Sequence, residues 1–258
     1  MKALRRFESF AVEPDKVQAM VPSDPAAVEG RTRFPSTVVA PEDSPRLLVS
    51  GQNHRKLGHR ATKGPWRGIP IYALTLEERA TCPRTCHHWL DCYGNAMHWS
   101  RRHKHGDALV ARLRDEVEVL HKKHGRLAVR LHVLGDFYSQ GYAREWLWML
   151  NDYAGLHLFG FTAHHERSPV GDVVNAMNHL FEGRCAIRFS HTVSGPGRAI
   201  TIDQKARGKI DAGIVCPAQT GDTECCATCG LCWAPAAHDE TIVFIRHGRK
   251  KNGRSGRD

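Results

Sequence analysis

The chain has 258 residues, a length that one α/β barrel or two smaller domains would fill. Its 41% apolar and 25% charged residues, with 23 glycines and 13 prolines, exclude collagen, coiled coil and wholesale disorder. No apolar run approaches the length of a membrane-spanning helix, so no membrane partner is expected, and a formal charge of +10 points to an anionic partner, nucleic acid first.

The opening MKALRRFESF carries charge with no apolar core behind it, which predicts a cytoplasmic protein without a secretory signal. Residues 1–48 hold six prolines among acidic residues and no long periodic pattern, and read as an extended arm or loosely packed cap. From there an alternation begins. IPIYAL (69–74) reads as a strand. Asp107 to His124 reads as a helix, with Val110, Leu113, Val117 and Leu120 on one face, Asp107 as its cap and Gly125 as its stop. AVRLHVLG (128–135) is a second strand. Ser139 caps a helix carrying Trp146, Met149, Leu150 and Tyr153, and LHLFGFTA (156–163) follows as a strand. Ser168 and Pro169 open a third helix with Val173, Val174, Met177, Leu180 and Phe181. CAIRFSHT (185–192), RAITID (198–203) and GIVC (213–216) complete the strands. Such an order implies right-handed crossovers and a parallel sheet. The predicted fold is α/β: a partial or complete β/α (TIM-like) barrel over 49–215, a cysteine-rich metal-binding segment over 216–245, and a disordered basic tail over 246–258. The active site is expected at the carboxyl ends of the strands.

Nine cysteines are present, and eight fall in two clusters, a pattern that in a reduced compartment suggests metal over disulfides. The first cluster, Cys82, Cys86 and Cys92, has the spacing C-x3-C-x5-C just after the first strand. Three thiolates on one loop suit three irons of a [4Fe–4S] cluster and leave the fourth iron open. Zinc is the alternative, with His87 or His88 as fourth ligand. The second cluster, Cys216, Cys225, Cys226, Cys229 and Cys232, contains a C-x2-C-x2-C run. It favours a second [4Fe–4S] cluster, with a four-cysteine zinc knuckle as rival; Cys225 and Cys226 compete for one ligand position. The two clusters are also candidates for one shared centre.

A three-cysteine loop after the first strand of a β/α barrel resembles the radical S-adenosylmethionine (SAM) enzymes, whose common spacing is C-x3-C-x2-C; here the second gap is longer. The series SGQN (50–53), KLG (56–58), TCP (81–83), CY (92–93), HVLGDFYS (132–139), FGFTAH (159–164) and CGLCW (229–233) resembles the phage gene-product-88 family. The resemblance implies a radical-SAM-like iron–sulfur protein and supplies no substrate. It implies that Gly135 and Asp136 hold the methionine end of SAM. The glycine admits a close ligand, and the aspartate pairs with an ammonium.

Candidate catalytic residues are therefore Asp136, His132 and Tyr138. Candidate cofactor contacts are Gly135, Asp136 and Ser139, with His164 at the end of the third strand and Ser190 at the end of the fourth. Basic density at 101–104, 122–126 and 246–257 provides candidate phosphate contacts to nucleic acid. Three functions emerge: a radical-SAM-like enzyme, a zinc-stabilised nucleic-acid-binding protein without catalysis, and an iron–sulfur protein without SAM chemistry.

Overall fold

The computed structural model of the protein describes residues 19–203 and 213–246. In chain order it forms helix α1 (Pro25–Glu29), strands β1 (Val38–Val39), β2 (Val49–Ser50), β3 (Ile71–Ala73) and β4 (Arg102–His103), and helix α2 (Asp107–His124). Then come β5 (Leu127–Leu131), α3 (Gln140–Asp152), β6 (Leu156–Thr162), α4 (Pro169–Leu180), β7 (Cys185–His191) and β8 (Arg198–Ile202). The chain closes with β9 (Ile214–Val215), the short helices α5 (Pro217–Thr220) and α6 (Cys226–Cys229), and β10 (Ile242–Ile245).

Eight strands make one sheet in the order β2-β3-β5-β6-β7-β8-β10-β9. Only β2 runs antiparallel to its neighbour, and every pair from β3 to β9 is parallel. The architecture is thus mixed α/β with a large, mostly parallel sheet. Among the described residues the edge strands β2 and β9 are not paired with each other. β1 and β4 form a separate parallel pair.

Both faces of the sheet are covered, which is why its strands read as nearly unbroken apolar runs. On one face Leu127, Val129, Leu131, Leu156, Leu158, Ile187 and Phe189 pack against Leu113 and Val117 of α2, Trp146 and Leu150 of α3, and Val174 and Met177 of α4. Burying each such side chain contributes roughly 1.5–3 kcal/mol. The other face presents Ile71, Ala73, Ala128 and Phe159. It is filled by Leu57, Ala61 and Trp66 from the β2–β3 connection and by Cys225, Ala227 and Trp233 from the cysteine-rich segment. Trp66 and Trp233 stack there, with centroids 5.1 Å apart and planes 7° from parallel.

Helix boundaries follow their caps. Ser139 Oγ accepts from the Tyr142 N–H and Ser168 Oγ from the Gly171 N–H, as expected. α2 differs: Gly106 occupies the N-cap, and Asp107 is the first helical residue. There the carboxylate still meets the positive end of the helix dipole.

Residues 20–48, read from sequence as an arm or loosely packed cap, pack onto the rest of the described chain. Met20, Ala26 and Ala27 bury against Trp89 and Leu90, and the Trp89 indole donates to Ala27 O. The backbone N–H groups of Leu47 and Leu48 donate to the Glu116 carboxylate. Residues 1–18 lie outside the described residues, as does the predicted basic tail apart from Arg246. β10 falls inside the span read as cysteine-rich, and it enters the sheet between β8 and β9. No helix among the described residues is long and apolar enough to cross a membrane.

Candidate metal centre

The carboxyl end of β3 leads into a loop held on both sides by buried charge. Glu78 and Arg102 pair at its two ends, with Arg102 Nε 2.6 Å from Glu78 Oε2 and Nη2 3.1 Å from Oε1. Arg102 also donates to the carbonyls of Gly94, Met97 and Ser100. Arg79, buried and left-handed at φ 67°, donates to Trp89 O, to Arg31 O and to the Asn95 side chain. A buried cation solvated by loop carbonyls fixes a loop that has little apolar core of its own.

This loop carries Cys82, Cys86 and Cys92 into mutual electrostatic range. The Cys82 thiol is raised well above its ordinary pKa by burial first, then by Asp136 and Cys92. Cys86 is pushed up to about 11 by burial, with Asp136 and Asp91 adding to it. Cys92 rises to about 12 through burial and Glu78. Thiols so placed stay protonated at neutral pH until a metal displaces the proton. Asp136 lies just past the carboxyl end of β5, and its N–H donates to Thr81 Oγ1 at 3.2 Å, next to Cys82 in the chain.

The loop then crosses the far strand ends. His88 Nδ1 lies 3.0 Å from Asp91 Oδ1, and Nε2 lies 3.0 Å from Thr201 Oγ1 at the end of β8. Asp91 pairs with Arg246, just past β10, and Arg246 also pairs with Asp203. His87 is held down to about 4 by burial first and then by His88, with Arg246 and His191 nearby.

The second group gathers elsewhere. Cys216 follows β9, and its N–H donates to Val243 O on β10. Cys226 and Ala227 donate to Lys56 O and Leu57 O, which docks α6 on the β2–β3 connection. Gly230, at φ 70°, ends α6 and turns the chain toward Cys232. Cys216, Cys226, Cys229 and Cys232 line one small cavity with Leu231, Trp233 and Ile242. Cys225 faces away: a Cβ on Gly58 would come within 2.6 Å of its Sγ, which sits 3.6 Å from Thr228 Oγ1. The cavity thus takes Cys226 and leaves Cys225 in the core. Cys226 is pushed up to about 11 by burial, opposed by Arg130, and Cys232 is raised by burial and by Cys226 and Cys216. A larger groove of about 820 Å³ runs between α4, β7 and residues 232–238, and reaches Cys232.

The thiols thus divide into a group of three on the loop after β3 and a group of four lining the small cavity, and burial is the chief cause that raises Cys82, Cys86, Cys92, Cys226 and Cys232. Arg130 on β5 acts through its charge on both Tyr93, next to Cys92, and Cys226. Its Nε is buried without a hydrogen-bond partner. Arg188 of β7 donates to Cys232 O, Ala237 O and Glu240 O, and so pins the second group to the sheet. Among the described residues no three His, Cys, Asp or Glu side chains are gathered tightly enough to hold a metal ion.

The remaining candidates have local roles. The Asp136 carboxylate accepts from the Phe137 N–H at 2.7 Å, the Thr162 hydroxyl at 2.8 Å and the Ala163 N–H at 2.7 Å, which ties β5 to β6. Its pKa is raised by burial and opposed by His164 and these donors. Gly135 is left-handed at φ 81°, and a Cβ there would lie 2.5 Å from Thr81 Oγ1. His164 Nε2 is 2.8 Å from Phe137 O. Ser139 caps α3. His132 turns toward the helices, with Nε2 2.9 Å from the Tyr142 hydroxyl, and Tyr138 stacks on Tyr142 with centroids 4.4 Å apart. Neither of those two is placed by any described contact among the cysteines. Ser190 sits at the carboxyl end of β7, beside His191.

Sequence reasoning missed Arg130, Arg188, Glu78 and Arg79. Arg130 and Arg188 each interrupt an otherwise apolar strand, which is the signal that would have found them. No protein-family model, no curated protein and no solved structure matches the chain.

Proposed function

We propose that the protein is a radical-SAM-like iron–sulfur enzyme built on a partial β/α barrel. The observation that supports the reading is one loop, just past the carboxyl end of β3, that supplies Cys82, Cys86 and Cys92 and meets the end of β5 where the Asp136 N–H donates to Thr81 Oγ1 at 3.2 Å. The donor set fits a [4Fe–4S] cluster: three soft thiolates supplied by one loop, with no fourth cysteine in the group. When bound, such a cluster supplies the one-electron reduction that cleaves SAM.

The chain's own residues would do the rest. Cys82, Cys86 and Cys92 hold the cluster and leave one iron for an outside ligand. Asp136, whose carboxylate already accepts three hydrogen bonds, would accept one more from a ligand ammonium. The buried Glu78–Arg102 pair keeps the loop shaped before metal arrives, which lowers the ordering cost of binding. Cys216, Cys226, Cys229 and Cys232 hold a second, fully ligated centre.

The test is metal and acid-labile sulfide content after strictly anaerobic purification. The expected result is about four iron and four sulfide for each of two centres. Cys86→Ala should remove the first set and Cys229→Ala the second, and SAM binding should follow the first alone. Zinc without sulfide or colour would overturn the reading. Full clusters with no SAM binding would leave an iron–sulfur protein without SAM chemistry.

A further inference from the structure

Between Tyr93 and Gly106 the chain has no acidic residue, and it carries Arg101, Arg102, Lys104 and three histidines. Arg102 is spent inside the fold on Glu78. Arg101, Lys104, His98 and His105 are exposed. In their midst stands Trp99, 96% exposed, and Tyr93 at the foot of the loop is 39% exposed. These two aromatics are the exposed large apolar residues of the loop; no aliphatic residue joins them.

The loop is not slack. Arg102 grips the carbonyls of Met97 and Ser100, one on each side of Trp99. The His98 ring packs on Phe34 with centroids 4.6 Å apart. An indole held out in water by a fixed backbone keeps both ring faces open to a stacking partner. Aromatic faces among unpaired cations, without aliphatic neighbours, match one partner chemistry best. Bases stack on the rings, and phosphates meet the charges. Unstacked bases are needed, because a duplex hides their faces. Lys56 stands 5.9 Å over the Tyr93 ring at the foot of the loop.

We propose that the 93–105 loop is a docking surface for single-stranded nucleic acid, with Trp99 stacking on a base and Arg101 and Lys104 contacting phosphates. The surface abuts the first cysteine group, since Tyr93 follows Cys92 directly. It does not depend on which metal that group holds.

The test uses the full chain and a fluorescein-labelled twelve-nucleotide oligouridylate, read by fluorescence anisotropy over a salt series. Wild type is expected to bind, more weakly as salt rises. Trp99→Ala should weaken binding by about 5- to 150-fold, the loss of one stacked base. Its side chain touches nothing that holds the fold, so iron and sulfide content should stay at the wild-type level. Arg101→Glu with Lys104→Glu should reduce the slope of log affinity against log salt by about 1.4, for two single-strand phosphate contacts. No binding by wild type would overturn the proposal, as would Trp99→Ala binding equally well. Trp99-dependent binding to vesicles of anionic lipid, with none to the oligonucleotide, would overturn it in favour of a membrane surface. A zinc-loaded, sulfide-free chain that still shows Trp99-dependent binding would support this proposal while overturning the iron–sulfur reading.

Discussion

Glu78→Gln tests whether the cysteine loop owes its shape to one buried charge pair. Both side chains are essentially inaccessible, at 0% for Arg102 and 1% for Glu78. The substitution keeps the shape and deletes the charge. An amide NH₂ then faces the guanidinium, and the Thr32 hydroxyl, 2.8 Å from Oε1, loses a charged acceptor. Breaking a buried pair from one side typically costs about 3–5 kcal/mol. Arg102 keeps the Gly94, Met97 and Ser100 carbonyls and the Thr37 hydroxyl, which partly solvate the stranded cation. The expected loss is therefore at the low end, about 3 kcal/mol, or a fall in Tm of roughly 6–12 °C for a chain of this size.

The assay is urea and thermal unfolding followed by circular dichroism, with Glu118→Gln as control. Glu118 pairs with Lys122 on an exposed helix face, and its loss should stay within about 0.5 kcal/mol. The usual rescue, replacing both partners by apolar residues, should fail here. Glu78→Leu with Arg102→Met would leave three loop carbonyls without their donor. A Glu78→Gln loss below about 1 kcal/mol, or full recovery in the double variant, would refute the reasoning.

Three further outcomes are expected. Gly135→Ala puts a methyl 2.5 Å from Thr81 Oγ1 and 2.6 Å from Leu76 Cβ at a left-handed residue, so it should cost about 2–4 kcal/mol by urea titration and lower iron at the first centre alone. Cys226→Ser should remove one cluster's iron and Cys225→Ser none, as counted by iron analysis; the reverse pattern would reassign the ligand. His132, held down to about 3 by burial, stays neutral in the fold while an unfolded histidine protonates near pH 6.5. Its contribution is therefore complete above pH 6.5 and is lost as pH falls toward 3, by roughly 4–5 kcal/mol in all. His132→Gln should flatten the fall in urea midpoint between pH 7 and pH 4, and an equally steep fall in the variant would contradict the assignment.

What was legible from sequence, and what was not, divides along physical lines. α2, α3 and α4 carry an apolar stripe and a punctuated end, and both signals are local. β5, β6 and β7 are buried on both faces, so their apolar runs stand out. β10 is only four residues, Ile242–Ile245, and follows a cysteine-rich stretch that draws the eye; its partner strands lie some forty residues and about thirty residues back in the chain. The thiols themselves were plain from their spacing, but their division into three and four was not. Cys225 and Cys226 are adjacent in sequence, and only the close approach of Gly58 sends one of them into the core. Polar residues at strand ends look alike whether they cap, brace or catalyse. Ser139 caps, and Asp136 braces β5 against β6. Arg130 and Arg188 differ from these, because an arginine inside a strand buried on both faces has a desolvation cost that the strand cannot offset. Arg188 meets that cost with three carbonyls of the cysteine-rich segment. For Arg130, half-buried on β5, Nε is buried without a hydrogen-bond partner among the described residues. On the proposed reading, the Arg130 charge that opposes the rise in the Cys226 pKa would also favour an added electron on the second cluster, so Arg130→Leu should make that cluster harder to reduce in an electrochemical titration.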